Sequence, residues 1–341
     1  MNVNLITFKK GKELDIIPMG RIGVDLNARE IHRPMEETET FTKYVGGSPA
    51  NIAIGMARLG KKVGFIGRVA EDQFGRFAVN YFNREGIDTT NIVIDREGAK
   101  MGLAFTEIKS PTESSILMYR EGAVDLKINP AHINEEYISN AKSLLISGTA
   151  LSKSPSRESC FVAMEYAVKH GTVIIFDIDY RPYSWTSMEE VAVYYSMAAK
   201  LSDIIIGSRE EFDLMEALID PENIKDQITA NRWFEYRAKI VVIKHGKEGS
   251  IAYTKDGEAY RVKPFPVKLL KSFGGGDAYA SAFLYGLMEG WGVDRSLEFG
   301  SASASMLVAS HSCSEAMPRA KEVQEFIDRA KEEHGEMVTK L

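Results

Sequence analysis

Lys271-Ser272-Phe273-Gly274-Gly275-Gly276-Asp277-Ala278-Tyr279 decides how this chain is read. Three glycines run into an aspartate, and Ala280, Phe283, Leu284, Leu287 and Met288 then recur at one-turn spacing, which predicts a helix opening at the turn. Glycine has no Cβ, so such a turn can take left-handed backbone and let a ligand approach the bare chain. The first-turn amides of a helix have no internal partner, and the macrodipole makes that end partly positive. Gly274, Gly275 and Gly276 therefore predict an anion site. Asp277 at its mouth is expected to stay ionised at neutral pH and to accept a proton from a hydroxyl. A glycine turn with an aspartate as helix starter would carry the same letters without any ligand. No G-x-x-x-x-G-K-[ST] run occurs, so phosphate bound here is held by a device other than a Walker A loop.

Outward from that turn the chain alternates. Residues 15–20 read as a first buried strand, ending in a glycine turn that presents Arg21 and Asp25. Residues 26–45 are polar and close in a half-exposed alternating strand at 41–45. Gly46 to Asn51 starts a helix that Gly60 is placed to cap. A strand over 62–69 and a helix over 72–85, ended by Gly86, follow. Residues 101–108 and 115–120 break the rhythm as two strands about a polar turn. They either edge the main sheet or join 41–45 in a small separate one. Alternation then resumes with strands at 143–147, 172–177, 203–206 and 239–244. Helices are expected at 155–170, 188–200, 210–218 and 221–236. A hairpin over 250–262 turns at Asp256-Gly257, and two last helices lie near 294–310 and 318–334. Strand–helix alternation of this kind predicts a mostly parallel sheet covered by helices, with ligands beyond the carboxyl ends of its strands.

Composition narrows the class. At 341 residues the chain can bury a large core, and 44% hydrophobic with 26% charged residues describes an ordinary globular protein. A net charge of −6 without a basic cluster argues against nucleic acid as partner. Cys160 and Cys313 form no metal or redox spacing, which points to a reducing cytoplasm. Residues 1–14 are polar and lysine-bearing and predict no signal peptide. No apolar run reaches membrane-spanning length, so no membrane partner is expected. The six histidines show neither metal-ligand spacing nor a paired nucleophile.

The glycine turn also carries a resemblance. Gly274-Gly275-Gly276-Asp277 before an alanine-rich helix resembles the C-terminal signature of the ribokinase-like (PfkB) sugar kinases, D-T-x-G-A-G-D. Gly46-Gly47-Ser48-Pro49-Ala50-Asn51 resembles the Gly-Gly signature of the same family, and the two stand in the family's order. The resemblance runs from about residue 15 to residue 318. It implies one ribokinase-like domain over 1–341: a three-layer α/β/α sandwich with a mostly parallel central sheet and a small β lid from about 26–46 and 101–126. The lid would cover the sugar and often forms the contact of a homodimer. The activity implied is transfer of a phosphoryl group from ATP, with Mg2+, to a sugar hydroxyl. Such transfer needs positioning, a base and positive charge or N–H donors more than covalent chemistry. In that pattern Asp277 matches the catalytic base and Gly274, Gly275 and Gly276 the anion hole. Asp25, Gly47 and Asn51 match positions that hold sugar hydroxyls; taken alone, Asp25 and Asn51 are equally well turn-forming polar residues.

Asp177-Ile178-Asp179-Tyr180-Arg181 resembles the D-x-N-x-R segment of members that phosphorylate the C6 hydroxyl of sugar acids, with Asp179 replacing the usual Asn. Arg181 and Arg120 would grip the substrate carboxylate, which a neutral sugar such as fructose lacks. Gly207-Ser208-Arg209-Glu210-Glu211 stands where the family has N-x-x-E, with Ser208 in the place of Asn. Glu211 would organise the water shell of a magnesium ion. Lys244-His245-Gly246-Lys247-Glu248-Gly249 resembles the family's nucleotide turn, which assigns Lys244, Gly246 and Gly249 to ATP, and residues 300–312 would border the adenine. Lys271 replaces the signature's opening Asp, which in relatives helps hold an activating monovalent cation; its ammonium would fill the same electrostatic role. A regulator that kept the fold and lost catalysis is the rival reading, and the presence of Asp277 argues against it.

Overall fold

Buried apolar runs become the strands of one long sheet, and the computed structural model describes residues 5–341 of it and its surroundings. Residues 1–4, where the N-terminal reading begins, lie outside the described residues. In chain order the first half comprises β1 (Leu14–Met19), β2 (Gly23–Ala28), β3 (Phe41–Gly46), α1 (Ser48–Arg58), β4 (Gly67–Ala70), α2 (Gln73–Arg84), β5 (Ile92–Asp95), β6 (Leu103–Ile108), β7 (Ser114–Tyr119), α3 (Glu135–Ser139), β8 (Ala141–Ser147) and α4 (Ser156–His170). The second half comprises β9 (Val173–Asp177), α5 (Met188–Leu201), β10 (Ile204–Ser208), α6 (Arg209–Glu216), α7 (Asp226–Phe234), β11 (Ile240–Lys244), β12 (Ser250–Thr254), β13 (Ala259–Val262), α8 (Gly275–Met288), α9 (Val293–Val308), α10 (Ala320–His334) and β14 (Val338–Lys340).

The main sheet runs β1-β8-β9-β10-β11-β12-β13-β14. It is parallel through β11 and antiparallel after it. Both faces are covered, as parallel strands without alternation require. Ile16, Leu145, Ile175, Ile206 and Val242 pack towards α1, α8 and α9. Their neighbours Ile17, Leu144, Ile174, Phe176, Ile205 and Val241 pack towards α4, α5 and α7. The three-layer sandwich expected from the alternation is therefore the observed architecture. Among the described residues no helix is long and apolar enough to cross a membrane.

Residues 101–120 do form a separate sheet rather than an edge of the main one, in the order β3-β2-β6-β7. This lid begins at Gly23, earlier than the expected 26. Asp25 consequently lies within strand β2, opposite Tyr44 and Ala104, and not in a turn. Two further expectations change, and a last strand is new. The strand foreseen over 62–69 breaks into isolated bridges to β1 and the four-residue β4, which pairs with an unforeseen β5. The helix foreseen over 221–236 begins only at Asp226, because Asn223 ties the preceding turn through Lys225 N and Thr229. The strand β14 is three residues long and mostly exposed, so it left no periodic signal.

Candidate active site

Two helices start side by side here. The α1 N-terminus follows Gly46-Gly47, and both glycines are required by crowding. A Cβ at Gly46 would fall on the Asp25 carboxylate, and one at Gly47 would come within 2.5 Å of the Arg21 carbonyl oxygen. Gly47 also has φ +104°, where a side chain is strained. Nearly two turns into each helix, Gly55 of α1 leaves room for Ser281 of α8; a Cβ there would lie 2.5 Å from the serine Oγ. Asn51 and Asp277, each four residues earlier, meet on the same faces, and Asn51 Nδ2 donates to Asp277 Oδ2 at 2.7 Å. The two helices thus run parallel, and their partly positive ends open on one place.

Gly274 caps α8 from the left-handed region at φ +86°, with no side-chain cap. A Cβ on it would meet Cys313 Sγ. No hydrogen bond within the described chain takes the amides of Gly274, Gly275 or Gly276. The Lys244 ammonium lies 3.6 Å from where a Gly276 Cβ would stand, and among the described residues it makes no hydrogen bond or ion pair. Burial works against that ammonium, but the charges of Asp177, Glu211, Asp277 and Asp179 outweigh it and hold its pKa above the ordinary lysine value.

Asp277 is pushed up to about 6, by burial first and then by the charge of Asp179, against hydrogen bonds from Asn51 and Ser48. It is still mostly ionised at neutral pH, by a narrower margin than the helix end alone predicts. Around it stand two more carboxyls of opposite tendency. Burial raises Asp177, whose Oδ2 accepts from Ser48 Oγ at 3.0 Å. Asp179 is lowered although burial opposes it, because Arg181, Arg21 and the Ser147 hydroxyl favour its charge. Asp179 holds φ +38°, unusual for a residue with a side chain, and pairs with Arg181 Nη2 at 2.7 Å. Burial also raises Asp25, against the charges of Arg21, Lys271 and Arg181. Beneath the glycine turn Lys271 is fully buried. Its ammonium donates to the carbonyls of Ser312 at 2.8 Å and His311 at 3.4 Å, and to Cys313 Sγ at 3.2 Å.

The structure thus brings Asp277, Gly274, Gly275, Gly276, Asn51, Gly47, Asp25, Asp179, Arg181 and Lys244 into one neighbourhood. Three residues behave otherwise than the sequence suggests. Arg120 is 5% exposed, and its guanidinium is taken by Asp125 at 2.5 Å, Ser184 Oγ at 3.0 Å and the Thr149 carbonyl at 3.0 Å. Ser208 caps α6: its Oγ accepts from Glu211 N at 3.3 Å, and Glu211 Oε2 accepts from Ser208 N at 2.7 Å. Glu211 Oε1 accepts from Tyr180 N at 2.8 Å. Among the described residues no three metal-ligating side chains gather. Gly246 and Gly249 shape a tight turn with φ +55° and +92°, closed by Gly249 N to Gly246 O at 3.1 Å. Of 300–312, Ala304 and Val308 pack against Gly275, while Gly300 and Ala302 are in the core. Sequence reading passed over Ser48, which joins α1 to Asp177; its only signal was its place inside Gly46–Asn51.

Known proteins match this arrangement. The family described as "pfkB family carbohydrate kinase" matches residues 15–320. A protein of Clostridium tetani (strain Massachusetts / E88) named 5-dehydro-2-deoxygluconokinase is 64% identical over 338 residues, covering 99% of this chain and all of the relative. A protein of the same name from Geobacillus thermodenitrificans (strain NG80-2) is 60% identical, covering 96% of this chain and 97% of the relative. Among solved structures, a fructokinase with bound ATP from Xylella fastidiosa superposes with a TM-score of 0.82 at 26% identity, over 92% of this chain and 98% of that one. A putative ribokinase II in complex with ATP and Mg2+ from E. coli superposes with a TM-score of 0.83 at 23% identity, over 93% and 99%; it speaks for the fold alone.

Proposed function

The chain belongs to the pfkB family of carbohydrate kinases, and on that premise we propose that it transfers the γ-phosphoryl group of ATP to the C6 hydroxyl of 5-dehydro-2-deoxy-D-gluconate. The acceptor follows the name shared by relatives at about 60% identity, and ATP follows the nucleotide-bound fructokinase. The step would belong to myo-inositol breakdown, and the free, buried Cys160 and Cys313 suit a reducing cytoplasm. One observation carries the chemistry: the Asn51–Asp277 hydrogen bond sets an ionisable carboxylate at the edge of three amides that have no partner among the described residues.

In this reading Asp277 takes the proton of the C6 hydroxyl as the oxygen–phosphorus bond forms. The bond from that phosphorus to the bridging oxygen breaks, and ADP leaves. The amides of Gly274, Gly275 and Gly276 and the Lys244 ammonium meet the negative charge on the transferring group, and cost no reorganisation because the turn already holds them. Asp25 and Asn51 hold sugar hydroxyls, and Gly47 lets the sugar approach α1. The turn through Gly246 and Gly249 receives the nucleotide. Magnesium bound with ATP would neutralise phosphate charge. Each Glu211 oxygen accepts one amide and keeps a lone pair, which fits water of the ion's outer shell rather than direct ligation. Ser208 belongs to the scaffold of α6 in this account. Lys271 serves as a built-in monovalent cation beneath the turn. The exposed Ile116, Leu117 and Tyr119 on lid strand β7 support a homodimer through the lid.

An ATP-coupled assay across sugar acids and neutral sugars tests the reading. The acid named above should give the largest kcat/KM, ahead of 2-dehydro-3-deoxygluconate and fructose. Preference for a neutral hexose, or binding without turnover, would overturn it.

A further inference from the structure

Three arginines approach the sugar side of the site, and their partners differ. Arg120 is locked in a buried pair with Asp125 and two further acceptors. Arg181 has one nitrogen on Asp179 and another on its neighbour's carbonyl at 2.8 Å. Arg21 is 7% exposed, yet its guanidinium forms no ion pair among the described residues, and its one hydrogen bond goes to a sulfur, from Nη1 to Met118 Sδ at 3.5 Å. A guanidinium has five N–H donors and cannot lose its charge. Burying one against a thioether leaves its remaining donors without an acceptor, and the charges of Asp25 and Asp179 offset its desolvation without taking those donors. The scaffold holds it there regardless. Arg21 follows the close of β1, and its carbonyl packs against Gly47 at the cap of α1, the helix that carries Asn51. Its side chain meets the lid at Met118, and its charge is felt by Asp25 and Asp179.

We propose that Arg21 recognises the carboxylate of the acceptor sugar acid and is the residue that sets acid over neutral substrates. The inference rests on the sugar-acid kinase reading above and names the group responsible for it. The planar fork suits a carboxylate in bidentate fashion, and the two residues to which the sequence pointed are already committed in whole or in part. A neutral sugar in the same place leaves the buried guanidinium unpaired, which is the stronger source of discrimination.

The test uses the full chain with the sugar acid and its neutral analogue, in which a hydroxymethyl group replaces the carboxylate. In the wild type the acid is preferred. In Arg21→Met, KM for the acid should rise by about 100-fold with KM for ATP unchanged, while kcat/KM for the neutral analogue holds or improves, so that the preference collapses. Arg21→Lys keeps the charge without the fork and should lose about tenfold of the preference; it carries the test if the methionine variant does not fold. Retention of the wild-type acid preference by either folded variant would overturn the proposal. A wild type that does not prefer the acid would instead sink the sugar-acid reading on which it rests, so the two failures separate.

Discussion

The helices α6 and α8 both begin beyond the carboxyl end of the main sheet, and they begin in opposite ways. At α6 the Ser208 hydroxyl and the Glu211 carboxylate satisfy each other's backbone amides, closing the helix end with its own side chains. At α8 Gly274 has no side chain to cap with, and its left-handed turn exposes the amides of three glycines. A closed end is a structural joint. An open one must find its partner elsewhere, and a phosphoryl group is the partner that the neighbouring Lys244 and Asp277 suit. The proposed chemistry therefore uses the helix start that the chain leaves unfinished.

That contrast can be broken most sharply at Asp277. Asp277→Asn keeps shape but removes the base, so kcat should fall by about 1,000-fold, with ATP affinity by calorimetry within about threefold of wild type. Survival of turnover would mean that the open end binds without catalysing. Beneath the turn, Lys271→Met leaves the Ser312 and His311 carbonyls without their cation; kcat should drop by about 10- to 100-fold and recover in part with potassium or ammonium salts. The wild type should respond to potassium by less than about twofold, and a strong requirement would remove Lys271 from this role. Asn51 tunes the same carboxyl. The rate limb of kcat/KM should rise with pH through about 6, as Asp277 loses its proton. Asn51→Ala removes a hydrogen bond that favours the charged form, so this midpoint should move upward and the rate at pH 6 fall by about tenfold. The smallest effect is at the closed end. Ser208→Ala should cost about 1 kcal/mol of stability, seen as a lower Tm, with KM for ATP within about twofold. A large rise in that KM would make α6 part of the nucleotide site.

Much of this was legible in the letters. Gly274–Asp277 announced an open helix end because glycine and periodicity are local properties, and Gly46-Gly47 announced the start of a second helix. The exclusion of residues with side chains at Gly46, Gly47 and Gly55 was not legible, because Asp25, Arg21 and Ser281 arrive from distant segments. Ser208-x-x-Glu211 spelled a capping box, which the resemblance to a nucleotide motif obscured. The arginines show the limit most clearly. Arg120 and Arg181 stood at suggestive places, but a guanidinium's role depends on which acceptors reach it, and Asp125 and Asp179 reached two of the three first.

The sequence by itself determined the layered α/β architecture, the two glycine turns and the aspartate at the start of α8, since these follow from short-range spacing and backbone freedom. Only the tertiary structure decided that α1 and α8 lie parallel with Asn51 on Asp277, that Asp177 and Asp179 shift in opposite directions, and that Arg21 forms no ion pair among the described residues. Those outcomes come from burial and long-range pairing, where the cost of desolvating a charge depends on neighbours brought together by the fold.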